Sequence, residues 1–138
     1  MNTNEPIKEI IRHWMGKARE ALASAEAEYL AGRYTFAMNR AYYSCFYAAT
    51  SVLLRQKRKF SKHSGVRSAL HREIIKTGLL SPDFGKIYDR LYENRQEGDY
   101  LELIRFEKDQ VYQAIQDATT FVSEIEKILL DTSLIEQP

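Results

Sequence analysis

The stretch Asn39–Leu54, NRAYYSCFYAATSVLL, constrains this chain more than any other. At helical pitch, Ala37, Ala41, Ser44, Ala48 and Ser51 fall on a face of small residues, and Tyr43, Phe46, Tyr47, Thr50 and Leu54 on an aromatic and aliphatic one. A helix apolar nearly all round is stable only when other helices cover it, so it belongs at the centre of a bundle. Asn39 and Arg40 are the exceptions. An amide and a guanidinium at the start of a buried helix need hydrogen-bond partners or a solvated cleft, and that cleft is where function is expected.

The rest of the chain supplies the cover. Six glycines and three prolines interrupt long runs rich in Ala, Leu, Glu and Lys, and no alternating strand pattern stands out, so the fold class is all-α. The first helix is expected from about Asn4 to Pro6 through Leu30, with Ile7, Ile11, Trp14, Ala18, Ala21, Leu22 and Ala25 inward and AlaGlyArg at 31–33 ending it. The second covers about Tyr34 to Lys57, antiparallel to the first. A basic loop, residues 55–65, leads to a third helix from Val66 to Thr77 that stops at Gly78. Ser81 caps a fourth with Pro82 at its first position, and Gly98 weakens or ends it. The last runs from about Phe106 to Asp131 on a stripe that includes Val111, Ile115, Phe121, Ile125 and Leu129. One domain over residues 1–138, with its core in about 5–131, fits the length.

Charge and cysteine usage exclude several functions. The net charge is +1, from 20 basic and 19 acidic residues, so nucleic-acid binding has to rest on local sites. The single cysteine, Cys45, leaves no intrachain disulfide and reads as an inert core thiol. The three histidines lack metal-ligand spacing and no glycine-rich phosphate loop occurs, so neither a metal nor a cofactor is expected. No apolar run reaches the ~18 residues of a membrane span, and the start lacks a signal peptide's pattern, which predicts a cytoplasmic protein without membrane association.

Three groups could carry chemistry. Arg40, Tyr43 and Tyr47 share one helix face; the structural alternative is a tyrosine-rich core in which Arg40 holds an internal carboxylate. Lys62, His63 and Ser64, with Arg55, Lys57, Arg58 and Lys59 nearby, suit phosphate binding, against the alternative of a solvated basic loop. Arg95 and Asp99, four residues apart with Tyr100 following, suit an ion pair at a helix end, which on a surface contributes only ~0.3–0.5 kcal/mol.

NRAYYSCFYAATSVLL, then KHSGV, then LYENRQEGDY, in this order along an all-helical chain, resemble the HEPN superfamily, in particular its small stand-alone prokaryotic branch. The resemblance covers about residues 10–125. It implies an up-and-down bundle of four to five helices, usually a homodimer whose cleft gathers polar residues from both subunits. It also implies a minimal nucleotidyltransferase as partner in a toxin–antitoxin pair, and in many members metal-independent ribonuclease activity. The family's ribonuclease motif is an arginine followed four to six residues later by a histidine. Arg95 matches the arginine, but Asp99, Tyr100 and Leu101 stand where the histidine belongs.

The departure matters because metal-free RNA cleavage needs a group that moves a proton near neutral pH and a cation that stabilises the phosphorane. An ordinary Asp99 is an anion there and repels phosphate. His63, brought in from the basic loop, is the candidate replacement. In some paired systems the nucleotidyltransferase adenylylates a tyrosine near this motif, which points to Tyr100.

The leading expectation is a dimeric nucleotide- or RNA-binding protein working with a nucleotidyltransferase. Arg40, Lys62, His63, Ser64 and Arg95 bind phosphate in this reading, Tyr43 and Tyr100 stack or hydrogen-bond, and Asp99 orients Arg95. The alternatives are a metal-independent ribonuclease toxin using Arg95 with His63 or Asp99, and a non-catalytic dimeric helical scaffold.

Overall fold

A computed structural model describes the backbone of residues 5–100 and 105–131, and the side chains of these except 97–100. Five α-helices follow one another: α1 (Glu5–Leu30), α2 (Tyr34–Leu54), α3 (His63–Ala69), α4 (Pro82–Tyr100) and α5 (Lys108–Asp131). The chain continues from α3 directly into a π-helical turn, Leu70–Ile75. No strand occurs among the described residues, so the fold is the expected all-α bundle. No helix among them is long and apolar enough to cross a membrane.

The centre is α2, which packs against α1, α3, the π turn, α4 and α5. Ala37, Ala41, Ser44, Ala48 and Ser51 are fully buried, as the small-residue face requires. Two of these are hydroxyls, and each donates back along the helix, Ser44 to the Ala41 carbonyl at 2.7 Å and Ser51 to the Ala48 carbonyl at 2.6 Å. Burial therefore leaves neither unsatisfied. The aromatic face divides differently. Tyr42 is fully buried, whereas Tyr43, Phe46 and Tyr47 are half-buried. Cys45 lies wholly inside, and burial raises its thiol pKa far above the ordinary value.

The helix ends follow local chemistry. At Gly32 (φ 77°) and Gly78 (φ 88°) the chain turns into the left-handed region. There Arg33 N–H bonds the Glu28 carbonyl at 2.9 Å, and Leu79 N–H the Ile74 carbonyl at 3.1 Å, closing α1 and the π turn. Ser81 caps α4 through the Asp83 N–H at 3.3 Å, and Pro82 takes the first position. Gly98 does not end α4, whose backbone remains helical to Tyr100.

Two boundaries depart from expectation. α2 ends at Leu54, with Lys57 N–H bonded to the Leu54 carbonyl at 2.8 Å and Lys57 itself at φ 58°. The third helix begins at His63, three residues before Val66, because the Lys62 carbonyl accepts from Gly65 and Val66 N–H at 3.1 and 3.3 Å. His63 and Ser64 are thus helical residues and not part of the basic loop.

Candidate functional site

The early start of α3 positions a histidine. As the first residue of α3, His63 lies against the aromatic face of α2, its ring stacked on Phe46 at 4.3 Å and 10°. Its Nδ1 is 2.7 Å from the Tyr42 hydroxyl. Arg95 reaches the same place from α4, donating from Nη2 to the Tyr43 hydroxyl at 3.2 Å. Its guanidinium carbon lies 5.5 Å from the ring centres of both Tyr42 and Tyr43. Neighbouring tyrosines on α2 thereby bring together two residues from different helices.

The electrostatics follow from this packing. Burial lowers the His63 pKa below its ordinary 6.5, and the nearby Arg95 charge lowers it further, so the neutral imidazole is favoured. Burial also pushes the Tyr42 phenol well above its usual range, so it stays protonated and able to hydrogen-bond the imidazole. With Nδ1 held by Tyr42, the tautomer carrying its proton on Nδ1 presents Nε2 as an acceptor. The site thus combines a neutral proton acceptor with a permanent cation. Among the described residues no group of three or more His, Cys, Asp and Glu side chains could hold a metal ion.

The other expected residues are distributed around this pair. Arg40 lies 4.9 Å over the Tyr43 ring and donates to Asn39 Oδ1 from Nε at 3.0 Å and Nη2 at 2.7 Å. Its partner is an amide rather than the internal carboxylate of the structural alternative. Tyr47 lies 5.7 Å from Tyr43, ring to ring. Lys62 is exposed directly before His63. Ser64 faces away, lining an open groove of about 780 Å³ with Arg67, Ser68, His71 and Arg72. The side chains of Asp99 and Tyr100, and with them the expected Arg95–Asp99 pair, lie outside the described residues.

Two features were missing from the sequence reading. Tyr42 was passed over although it holds the histidine, and Phe46 was read as core although it forms the stacking surface. Their i, i+4 spacing was the available signal. The second feature is a cluster in the Ser64 groove, where Asp89 Oδ1 accepts from Arg67 Nε at 2.8 Å and lies 2.9 Å from His71 Nε2. His71 sits in the π turn, a type of irregularity frequent at functional sites. It approaches α4 closely because residue 85 is glycine: an added Cβ would come within 2.8 Å of the His71 ring.

A small all-α bundle with α2 at its centre and an arginine and a histidine gathered on its aromatic face defines the class. The HEPN domain family matches residues 11–128, and this chain belongs to that family. It is 42% identical over 131 residues to a UPF0332 protein of Thermotoga maritima, covering 95% of this chain and 97% of that one. It is also similar to two Methanocaldococcus jannaschii proteins. The one named "Putative toxin MJ0142" is 30% identical over 120 residues, 87% of this chain and 82% of its own length. "Putative toxin MJ0605" is 29% identical over 126 residues, 91% of this chain and 93% of its own length.

Proposed function

We propose that the protein is an RNA-binding HEPN toxin that cleaves single-stranded RNA at the His63–Arg95 pair without a metal ion. The observation that carries this reading is the convergence of both residues on Tyr42 and Tyr43, 2.7 Å from His63 Nδ1 and 3.2 Å from Arg95 Nη2 respectively. In the proposed reaction His63 Nε2 takes the proton of a ribose 2′-hydroxyl. The O2′–P bond forms, the P–O5′ bond breaks, and the departing oxygen leaves as a 5′-hydroxyl after receiving a proton. Arg95 offsets the negative charge that builds on the phosphorane, and Tyr42 holds the imidazole in the working tautomer. His63 supplies the function of the histidine absent after Arg95. Arg40 and Lys62 contribute charge at the edges, and Ser64 binds phosphate on the groove side.

The toxin part rests on the names of the two archaeal relatives. With the family resemblance, it supports a homodimer controlled by a separate minimal nucleotidyltransferase acting on Tyr100. A second reading, binding without cleavage, is favoured by the residues that follow Arg95, where Asp99, Tyr100 and Leu101 replace the motif histidine.

The test is incubation of wild type, His63→Ala and Arg95→Ala with end-labelled single-stranded RNA in chelator, scored for retention and for cleavage. Cleavage by wild type that both variants lose, leaving 2′,3′-cyclic phosphate ends, is the expected result. Retention without cleavage replaces the ribonuclease reading with the binding one. A light-scattering mass near the 16.1 kDa of one chain would remove the homodimer.

A further inference from the structure

The aromatic face does not stop at His63. From Tyr43 the rings continue to Tyr47 at 5.7 Å and from Tyr47 to Trp14 on α1 at 5.6 Å, all three half-buried. Surface aromatics usually occur singly, and a contiguous run calls for a ligand or a partner. Two cations are held over this run: Lys17 Nζ lies 5.4 Å from the Tyr47 ring centre and 5.9 Å from that of Trp14, and the Arg40 guanidinium lies 4.9 Å from that of Tyr43. Among the described residues neither pairs with a carboxylate: Arg40 bonds the neutral Asn39 amide, and Lys17 contacts only rings.

We infer that Tyr43, Tyr47 and Trp14 form a stacking platform for unpaired nucleobases of a single RNA strand, with Lys17 and Arg40 taking the adjacent phosphates. The inference rests on the RNA reading above and names which part of the RNA is recognised. Charge decides the occupant. Rings accept bases of any identity, and uncompensated cations at their edges require a polyanion. A second copy seated on this face around a twofold axis would bring Lys17 and Arg40 towards their own duplicates. The platform is also continuous with the reacting site, since the Tyr43 hydroxyl that begins it accepts from Arg95. It follows that the strand is chosen for being unpaired, with weak preference for base identity.

Trp14 is the only tryptophan of the chain, so its fluorescence reports the platform directly. The full chain is titrated with a 2′-O-methyl oligouridylate, which cannot be cleaved, and with an abasic oligomer of equal phosphate number. Tyr47→Leu and Trp14→Leu are followed with the same oligouridylate by anisotropy, after circular dichroism has established their fold. The base-bearing strand is expected to quench Trp14, the abasic one to bind on the order of tenfold more weakly, and each variant to lose affinity by about tenfold. Equal binding of both oligomers overturns the platform even if the variants fail to fold, and leaves RNA binding standing. Quenching by wild type that cleaves no RNA overturns the ribonuclease reading and keeps the platform. Trp14 emission that changes with protein concentration alone, together with a monomeric Trp14→Leu, assigns the face to a second copy and overturns the inference. Absence of binding by either strand overturns the platform and the RNA reading together.

Discussion

His63 and Arg95 meet across one tyrosine: the imidazole Nδ1 lies 2.7 Å from the Tyr42 hydroxyl, and the guanidinium carbon lies 5.5 Å from the centre of the same ring. Tyr42 is fully buried while both its partners are half-buried. A rigid core residue therefore fixes the relation between two residues at the surface. Preorganisation of this kind lets a histidine from one helix act with an arginine from another.

Replacing Tyr42 with Phe keeps the ring and removes the hydroxyl. The lost hydrogen bond is expected to lower stability by about 0.5–1.5 kcal/mol, measured as a urea midpoint shift. RNA cleavage should fall further than Arg95 loading does, because the imidazole loses its tautomer control. Unchanged cleavage would remove Tyr42 from the site.

Acid should destabilise the protein through His63. Its folded pKa lies below the unfolded 6.5, owing first to burial and then to Arg95. Below 6.5 the unfolded chain therefore binds more protons, so this contribution is fully present above 6.5 and is lost as pH falls towards the folded value. Wild type should lose more stability than His63→Gln between about pH 7 and about pH 5. In Arg95→Gln the His63 titration followed by NMR should move up towards 6.5. A shift downwards would contradict the electrostatic account.

Gly85→Ala is expected to destabilise by about 1–3 kcal/mol despite alanine's better helix propensity. The new Cβ would stand 2.8 Å from His71 Cε1 and from Ile75 Cδ1, and Asp89 holds the imidazole by its other side. Pairing the change with His71→Ala should recover part of the loss in a double-mutant cycle; full additivity would show that the ring moves freely.

Cys45 should resist a thiol reagent in the native state and react at once in denaturant. It is fully buried and its pKa is raised by that burial, so both access and thiolate are withheld. Labelling of the native protein at the rate of a free thiol would mean that α2 opens locally.

Much of the fold was legible because helices announce themselves over short distances. The small-residue face of α2, the ends at Gly32 and Gly78 and the cap at Ser81 each follow from local spacing or backbone preference, and the structure repeats them. The basic segment was misread at its end: KHSG contains turn formers, yet the Lys62 carbonyl begins a helix there. Periodicity also could not divide the aromatic face, since Tyr42 and Tyr43 are neighbours of the same type. What covers each one decided which became buried.

The sequence by itself determined an all-helical chain, a central α2 and a short set of residues able to hold phosphate, because periodicity, capping and composition act within a few turns. Only the tertiary structure decided that His63 and Arg95 share Tyr42 and Tyr43, that Arg40 rests on Asn39, and that Ser64 turns to a different groove. Those relations depend on how α3 and α4 pack against α2. A distance between side chains on separate helices is set by that packing, and no local pattern encodes it.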